Sequence, residues 1–296
     1  RALAGVLGGY PSLPGSCIIH YEKKTQKMPK LNLNLKSAGY HSTFLYGGDI
    51  GFAHMKSFLV MSEFDRIVDD HDFPRTISRS NWGVPDQYLF EKLLETSDQS
   101  QRPFFSVLLT LSSHTPFDVP MEPVFDESVS LSEYKNSIYY TDYYLGEFIS
   151  EARTRDWWDE TLIVLMADHG CRIGGIKAHE QKRFNIPMVW TGGALEVNDT
   201  IIDKYGSQTD FPATILNQLK LSDEEFIFSN DLLSKSSNSF AYFTHNDGMG
   251  FVTDSSVSIY NTATNSHHER NGGGSEETED LALVYLQWLL NDFNKK

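Results

Sequence analysis

The chain has few basic residues, few cysteines and no long hydrophobic run. Its 296 residues include 25 Lys and Arg against 40 Asp and Glu, giving a formal net charge of −15. Nucleic acids and anionic membranes are bound by basic protein surfaces, so this balance excludes a nucleic-acid partner and membrane docking through a basic patch. A phosphate ester could still bind if a metal ion supplied the positive charge. The composition therefore restricts phosphoryl chemistry to a metal site.

Two cysteines, Cys17 and Cys171, are too few for a disulfide framework and are not spaced as a metal-binding pair. A single disulfide between them stays open, although two separate buried thiols are the favoured interpretation. No run of about 18 apolar residues occurs, so no segment of this sequence is predicted to span a membrane. Hydrophobic residues make up 40% of the chain, including 19 Phe and 14 Tyr, which is enough for a sizeable folded core.

Continuous apolar runs alternate with amphipathic segments along most of the chain. Runs at 103–111 and 161–167 are typical of strands buried on both faces, as in a parallel sheet. Further strands are predicted at 40–46 and 186–191, and helices at 1–7, 84–97, 134–153 and 210–219. The pattern indicates an α/β fold: a mainly parallel central sheet covered by helices on both faces.

The C-terminal part is predicted to form a smaller subregion of the same domain. Residues 240–259 look like a small antiparallel pair, followed by a loop at 265–275 and a final helix at about 278–293. No internal repeat divides the chain. We therefore predict one domain over 1–296, with the main α/β core at 1–235 and the C-terminal subregion and tail helix at 236–296.

Polar residues follow three of the predicted strands: Asp49, His114 and the pair Asp168–His169. Ligands of open α/β sheets bind outside the carboxyl ends of the strands, so we expect these side chains along one edge. An aspartate oxygen and a neutral histidine nitrogen suit Mn²⁺, Zn²⁺ or, less well, Mg²⁺. Asp168 and His169 are therefore candidate metal ligands. The alternative is a turn aspartate beside an exposed histidine.

The other two positions are candidate substrate residues. His114 could donate a hydrogen bond to a phosphate oxygen or move a proton. Its alternative role is structural, holding the turn before Pro116. Asp49 could bind a substrate hydroxyl, but it could equally be an ordinary turn aspartate.

Several other polar residues are predicted to have structural or solvent-exposed positions. Asp210, or Thr209 beside it, would cap the helix at 210–219. His179 is expected in a solvated loop, and His245 in a hairpin turn at 244–248. His267 and His268 fall in the predicted tail loop, which we expect to be mobile.

A series of short motifs, in this order, carries a family resemblance. They are Tyr-Gly-Gly-Asp49, Leu-Ser-Ser-His114-Thr-Pro-Phe, Tyr-Tyr-Thr-Asp142-Tyr-Tyr-Leu-Gly146, Ala-Asp168-His169-Gly, Ile-Pro187-Met and Gln208-Thr-Asp210-Phe-Pro-Ala-Thr-Ile-Leu. From Arg1 to about residue 260 the sequence resembles the sulfatase-type catalytic domain of lipoteichoic acid synthases and related phosphoglycerol transferases. These belong to the alkaline phosphatase superfamily, so the resemblance implies an alkaline-phosphatase-like three-layer sandwich.

The resemblance also implies roles for the candidate residues. In the family a divalent metal, usually Mn²⁺, is held by a Glu, a nucleophilic Thr and an Asp-His pair, and that pair matches Asp168 and His169. The family's substrate-binding histidine and aspartate match His114 and Asp49. Its Trp and Arg shortly after that aspartate have no counterpart in residues 50–56, where His54 or Lys56 could substitute.

The implied activity is metal-dependent transfer of a phosphoglycerol-type group from a lipid or small donor to a cell-envelope glycan, through a covalent Thr intermediate. The Thr, the Glu and the family's membrane helices are all expected to precede Arg1. We therefore expect a membrane-anchored parent protein, a domain outside the cytoplasm, and an inactive piece when this chain stands alone. The alternatives are a sulfatase or phosphodiesterase of the same fold, and an inactive domain that binds a glycan or lipid head group.

Overall fold

The computed structural model describes residues 1–126, 128–170, 175–197, 199–272 and 275–296. Within these ranges the α-helices are Ala2–Gly8 (α1), Glu22–Lys27 (α2), Leu31–Ser37 (α3), Met55–Met61 (α4), Asp86–Gln99 (α5), Ser132–Ala152 (α6), Phe211–Gln218 (α7) and Ser275–Lys295 (α8). The strands are His41–Tyr46 (β1), Arg66–Val68 (β2), Phe104–Leu109 (β3), Ile163–Met166 (β4), Met188–Thr191 (β5), Phe240–His245 (β6), Gly248–Thr253 (β7), Ser256–Asn261 (β8) and Ser266–Gly272 (β9).

The chain divides into two compact units. The first unit contains residues 1–34, 164–190 and 196–296, and the second contains residues 35–163 and 191–195. The predicted division into a core at 1–235 and a subregion at 236–296 stays a prediction. Cys17 is buried and free, whereas Cys171 lies outside the described residues.

The second unit is built on a parallel sheet with the strand order β2-β1-β3. Phe104 of β3 packs with α5 and α6 in a cluster that includes Phe90, Phe148 and Trp157. Apolar side chains on both the strands and the helices bury one another in this way, which is what drives an α/β arrangement. The predicted α/β class with a parallel sheet is confirmed.

Strands β3 and β4 are less buried than their apolar sequences predicted. Every residue of β3 and of β4 is partly exposed. Within its own unit, β3 is paired on one side, with β1, and β4 pairs with β5. The positions of both strands in the sequence are as predicted.

The first unit carries an antiparallel sheet with the order β6-β7-β8-β9. The long helix α8 packs on it through Tyr285, whose ring contacts the rings of Tyr242 and Phe251. Near its end, Asp292 accepts a hydrogen bond of 2.8 Å from the hydroxyl of Tyr10, which joins the two ends of the chain.

The predicted tail loop at 265–275 is wrong. Residues Ser266–Gly272 form the edge strand β9, which pairs with β8 across a bulge. The separate antiparallel sheet predicted for the C-terminal part is confirmed, but it has four strands rather than two in the described residues. The final helix is longer than predicted, Ser275–Lys295 rather than 278–293.

The N-terminal helix ends as the sequence predicts. Gly9 follows α1 with a φ of 55°, a left-handed conformation that glycine adopts without steric cost. In the part of the chain that the structure describes, no helix combines the length and the apolar character needed to cross a membrane.

Candidate functional site

Asp49 and His114 follow neighbouring parallel strands. Tyr46 at the end of β1 pairs with Leu109 at the end of β3, so both candidate residues lie beyond the same edge of the sheet. Both side chains are exposed. The predicted common edge therefore holds for these two, whereas Asp168 and His169 belong to the other unit and their place beside this edge stays a prediction.

The turn that carries Asp49 is held by its own carboxylate. The Oδ1 atom of Asp49 accepts a hydrogen bond of 2.7 Å from the backbone N–H of Gly51, which leaves Oδ2 for another partner. Ala53 and His54 follow with left-handed φ values of 52° and 62°. His54 and Lys56 are both exposed on this segment, and their substitution for the family's Trp and Arg stays a prediction.

A second loop, containing Trp82, packs against the end of β1. Gly83 has a φ of 138°, and a Cβ atom there would lie 2.1 Å from the carbonyl oxygen of Gly47. A Cβ atom on Gly48 would lie 2.8 Å from the carbonyl oxygen of Trp82. Only glycines permit this close approach of two backbones. The approach brings the indole ring of Trp82 next to the turn that carries Asp49.

The ring of His114 lies against Trp82. The two ring centroids are 3.8 Å apart, and the ring centroid of Phe52 lies 5.9 Å from that of Trp82. Nδ1 of His114 lies 3.0 Å from the carbonyl oxygen of Thr115, and the indole N–H of Trp82 donates to the same oxygen at 2.6 Å. A carbonyl oxygen only accepts hydrogen bonds, so Nδ1 of His114 carries the hydrogen. The lone pair of the neutral ring is then on Nε2.

Asp86 fixes the backbone just ahead of His114. Its side chain is fully buried and accepts hydrogen bonds from the backbone N–H of Leu111 at 2.8 Å, from that of Ser112 at 3.2 and 3.3 Å, and from the hydroxyl of Thr141 at 2.7 Å. Burial raises the pKa of the Asp86 carboxyl, while these hydrogen bonds act in the opposite direction. The sequence offered no signal for this role, because its partners lie 25 or more residues away.

In the first unit, Asp168 and His169 lie close enough together that both could bind one ion. Nε2 of His169 lies 3.5 Å from Oδ2 of Asp168, and both side chains are at least half exposed. Nδ1 of His169 lies 3.0 Å from the carbonyl oxygen of Gly170 and therefore carries the hydrogen, so Nε2 is free to bind a metal. Two donor atoms that each lie about 2.0–2.2 Å from the same ion are separated from each other by a distance similar to these 3.5 Å. The pair therefore fits a divalent metal.

The pair could supply two ligands, which is fewer than a metal site needs. Among residues 1–126, 128–170, 175–197, 199–272 and 275–296, no group of three or more His, Cys, Asp or Glu side chains could hold a metal ion. Asp and His together accept Mn²⁺, Zn²⁺ and Mg²⁺, so the donor types do not choose among them.

Gln208 positions the backbone of this pair, a role that the sequence did not reveal. Its amide nitrogen donates to the carbonyl oxygens of Ala167 and Asp168, each at 2.9 Å. Both bonds are made by one side chain from the segment that precedes α7. The end of β4 is therefore held at the residue that carries the candidate ligand.

Asp210 forms a capping box with Ser207 at the start of the short 3₁₀ helix Gln208–Asp210, which leads into α7. Its carboxylate makes no capping hydrogen bond to α7 and instead accepts from the backbone N–H of Ser207 at 2.7 Å and from Asn230 at 2.9 and 3.2 Å. Burial raises the pKa of Asp210 to about 6. Its buried carboxylate therefore links the segment at Ser207 to the segment at Asn230.

Three histidines come together in the first unit. The ring of His179 stacks on that of His268 at 4.1 Å, and His245 lies 5.8 Å from His268 and 6.3 Å from His179. Burial, and then the neighbouring histidines, lower the pKa values of His179 and His245. The expectation of a loop for His267 and His268 was wrong, because both belong to strand β9. His179 lies in a turn, as expected, and its partly exposed ring stacks on that of His268. The hairpin turn at His245 is confirmed, since β6 ends there.

Comparison with known proteins identifies the family of this chain. The sulfatase family model matches residues 1–221. Lipoteichoic acid synthase-like YvgJ of Bacillus subtilis (strain 168) is 25% identical over 303 residues, covering 94% of this chain and 47% of that protein. Phosphoglycerol transferase I of Xanthomonas euvesicatoria pv. vesicatoria (strain 85-10) is 26% identical over 216 residues, covering 68% of this chain and 30% of that protein. The chain thus spans less than half the length of these two relatives.

A solved structure supports the fold. A protein in the alkaline phosphatase superfamily from Vibrio parahaemolyticus superposes with a TM-score of 0.84 at 24% sequence identity, over 99% of this chain and 76% of that chain. The predicted alkaline-phosphatase-like fold is confirmed by this match. With three quarters of its length matched by the family model, the chain belongs to the sulfatase family.

Proposed function

We propose that the parent protein transfers a phosphoglycerol-type group from a lipid or small phosphoester donor to a cell-envelope glycan. The observation that supports this most is the pair Asp168–His169, in which Nε2 of His169 and Oδ2 of Asp168 lie 3.5 Å apart, close enough for both to bind one divalent ion. The relatives named as a lipoteichoic acid synthase-like protein and a phosphoglycerol transferase favour this substrate class over others. Their chemistry also favours an extracytoplasmic location and a membrane-anchored parent.

Asp168 and His169 would hold the metal, with Mn²⁺ the first choice and Mg²⁺ or Zn²⁺ as alternatives. When bound, a divalent ion polarises phosphoryl oxygens and makes a coordinated hydroxyl more acidic. The remaining ligands and the nucleophile, a Glu and a Thr in the family, are expected N-terminal to Arg1. The covalent step forms a bond from the Thr oxygen to phosphorus and breaks the bond from phosphorus to the donor's alcohol oxygen, which leaves with a proton.

Asp49 and His114 would bind and orient the substrate. Oδ2 of Asp49 can accept a hydrogen bond from a hydroxyl of the glycerol or glycan, because Oδ1 is occupied by Gly51. Nε2 of neutral His114 can take the proton of an incoming hydroxyl, because its hydrogen is on Nδ1. The incoming oxygen then bonds to phosphorus as the bond from phosphorus to Thr breaks.

The test uses the protein encoded by the full gene, purified with Mn²⁺ and incubated with vesicles that contain phosphatidylglycerol. We expect release of diacylglycerol and transfer of glycerol phosphate to an added glycan. Asp168→Asn and His169→Asn should each reduce turnover by about 100-fold or more, because each removes a metal ligand. Asp159→Asn, at an exposed position in the second unit, is the matched control and should leave turnover unchanged.

The same preparation separates the alternatives. Hydrolysis of a nitrophenyl sulfate ester or of a bis-nitrophenyl phosphate diester, without transfer to a glycan, would identify a sulfatase or a phosphodiesterase. Saturable binding of an envelope glycan or lipid head group without any turnover would identify an inactive binding domain. Either result contradicts the proposed transferase.

A further inference from the structure

The segment Trp82–Asp86 makes hydrogen bonds to the backbone on both sides of His114. Asp86, at the start of α5, binds the backbone N–H groups of Leu111 and Ser112 before His114, and the backbone N–H of Asp86 donates to the Ser112 hydroxyl at 3.0 Å. Four residues earlier in the chain, Trp82 donates to the carbonyl oxygen of Thr115 after His114. The segment Trp82–Asp86 therefore spans the turn and fixes the backbone on either side of the histidine.

Trp82 and His114 share one hydrogen-bond acceptor. The carbonyl oxygen of Thr115 accepts both from the indole N–H of Trp82 and from Nδ1 of His114. The indole N–H orients this carbonyl, and the ring contact at 3.8 Å limits rotation of the imidazole. With the hydrogen on Nδ1, Nε2 is the nitrogen that carries the lone pair.

A purely structural role for Trp82 does not account for its surroundings. The ring is only partly buried and is absent from the two core clusters built around β1, β3 and the helices that pack on them. Its partners are the exposed ring of His114, the exposed ring of Phe52 and one carbonyl of the turn. Gly83 and Gly48 permit the backbone approach that places it there.

We propose that Trp82 is a positioning residue that acts through His114, holding the imidazole in the tautomer and orientation that present Nε2 to the substrate. This inference rests on the proposed function, in which His114 takes a proton from the incoming hydroxyl. Trp82 itself need not touch the substrate. The indole N–H and the ring contact make separable contributions, and two substitutions distinguish them.

The first experiment needs no activity and uses the chain of 296 residues. Nitrogen-15 NMR of the histidine side chains reports the tautomer of His114, which is assigned by its loss in His114→Asn. We expect the Nδ1–H form in the unsubstituted chain. We also expect it in Trp82→Phe, which keeps a ring contact with His114 but loses the indole N–H that donates to the Thr115 carbonyl. Trp82→Leu removes both, and we expect a mixture of the two tautomers.

Trp288→Phe, on α8 in the other unit, is the matched control and should leave the His114 signals unchanged. The spectra of the remaining histidines show whether each variant is folded. An unchanged tautomer of His114 in a folded Trp82→Leu variant would overturn the proposal, whether or not the protein proves to be a transferase.

The second experiment is a double-mutant cycle in the full-length protein. Trp82→Leu should lower kcat by about 10- to 100-fold, as expected for a misplaced proton acceptor, change the shape of the pH profile, and leave KM close to its original value. Trp82→Phe should recover part of the loss. In a His114→Asn background, Trp82→Leu should cause no further loss, because its effect passes through the missing imidazole.

Losses that multiply in the double variant, or a rise in KM with unchanged kcat, would overturn the positioning role. If the unsubstituted protein turned over no phosphoester, the proposed function would fail, and the NMR result would still decide whether Trp82 sets the tautomer of His114. The two failures are therefore distinguishable.

Discussion

The side-chain amide of Gln208 donates hydrogen bonds to the carbonyl oxygens of Ala167 and Asp168, each at 2.9 Å. The candidate metal ligand Asp168 is thus held through its backbone by a residue 40 positions away in the sequence. Residues that support metal ligands in this way tune affinity without touching the ion.

We predict that Gln208→Glu weakens both the fold and metal binding at Asp168–His169. The substitution replaces the NH₂ group that makes both hydrogen bonds by one carboxylate oxygen, which would face the two carbonyl oxygens. The free energy of unfolding should fall by about 1–3 kcal/mol, measured by urea denaturation. The Mn²⁺ concentration that broadens the NMR signal of His169 should rise by about tenfold. Gln218→Glu, on the exposed part of α7, should change neither quantity.

Substitution by alanine is predicted to have opposite effects on stability at Gly83 and at Gly146. Gly83→Ala should destabilise the protein by at least about 2 kcal/mol, because φ is 138° and the new Cβ atom would lie 2.1 Å from the Gly47 carbonyl oxygen. Gly146→Ala, in the middle of α6 with open space around it, should stabilise by about 0.5–1 kcal/mol. Thermal and urea unfolding of both variants check this pair. A Gly83→Ala variant as stable as the original chain would contradict the described backbone approach.

Asp86→Asn is predicted to be severely destabilising. The amide has one acceptor oxygen where the carboxylate has two, and its NH₂ group would face a backbone N–H of the β3 end. We expect a loss on the order of 3 kcal/mol in the free energy of unfolding. Asp142→Asn, an exposed position on α6 next to Thr141, is the matched control and should cost less than about 0.5 kcal/mol.

The cluster of His179, His245 and His268 predicts a loss of stability in weak acid. Burial and the neighbouring histidines lower the pKa values of His179 and His245 below the ordinary 6.5, although Glu180, Asp247 and Glu269 act in the opposite direction and Lys177 in the same one. Below pH 6.5 the unfolded chain therefore binds more protons than the folded chain at these two sites. Their contribution is complete above pH 6.5 and is lost as the pH falls through the lower, folded values.

The measurement combines histidine NMR titration with urea denaturation at several pH values between 5 and 8. His179→Phe should keep a ring against His268 and flatten the decline of stability below pH 6.5. Phe184→Leu serves as the control, because it weakens the stack on Phe243 without removing a titrating group, and its cost should be equal at every pH. Titration midpoints of His179 and His245 above 6.5 would contradict the prediction.

Local sequence patterns were sufficient for the elements that bury a regular apolar face. The strand predicted at 40–46 is His41–Tyr46, and the helix predicted at 134–153 is Ser132–Ala152. Strand β9 was missed because Ser266–Gly272 is a polar stretch without apolar alternation. It is a strand because it pairs with β8, and pairing partners are not visible in a local window.

The site was predictable in part for the same reason. Their positions directly after predicted strands made Asp49, His114 and the pair Asp168–His169 candidates without reference to any distant contact, and their roles stay predictions. Trp82, Asp86 and Gln208 were not predictable, since each acts on a segment at least 25 residues away. Their sequence neighbours carry no sign of that contact.

The hydrogen bond from Tyr10 to Asp292 bears on the order in which the chain acquires its structure during synthesis. The first unit gathers residues 1–34, 164–190 and 196–296, so its earliest segment must wait for helix α8 to leave the ribosome. The second unit is nearly continuous and is almost complete once residue 163 has emerged. Contacts between distant positions form slowly, so the first unit is expected to complete its structure after the second unit.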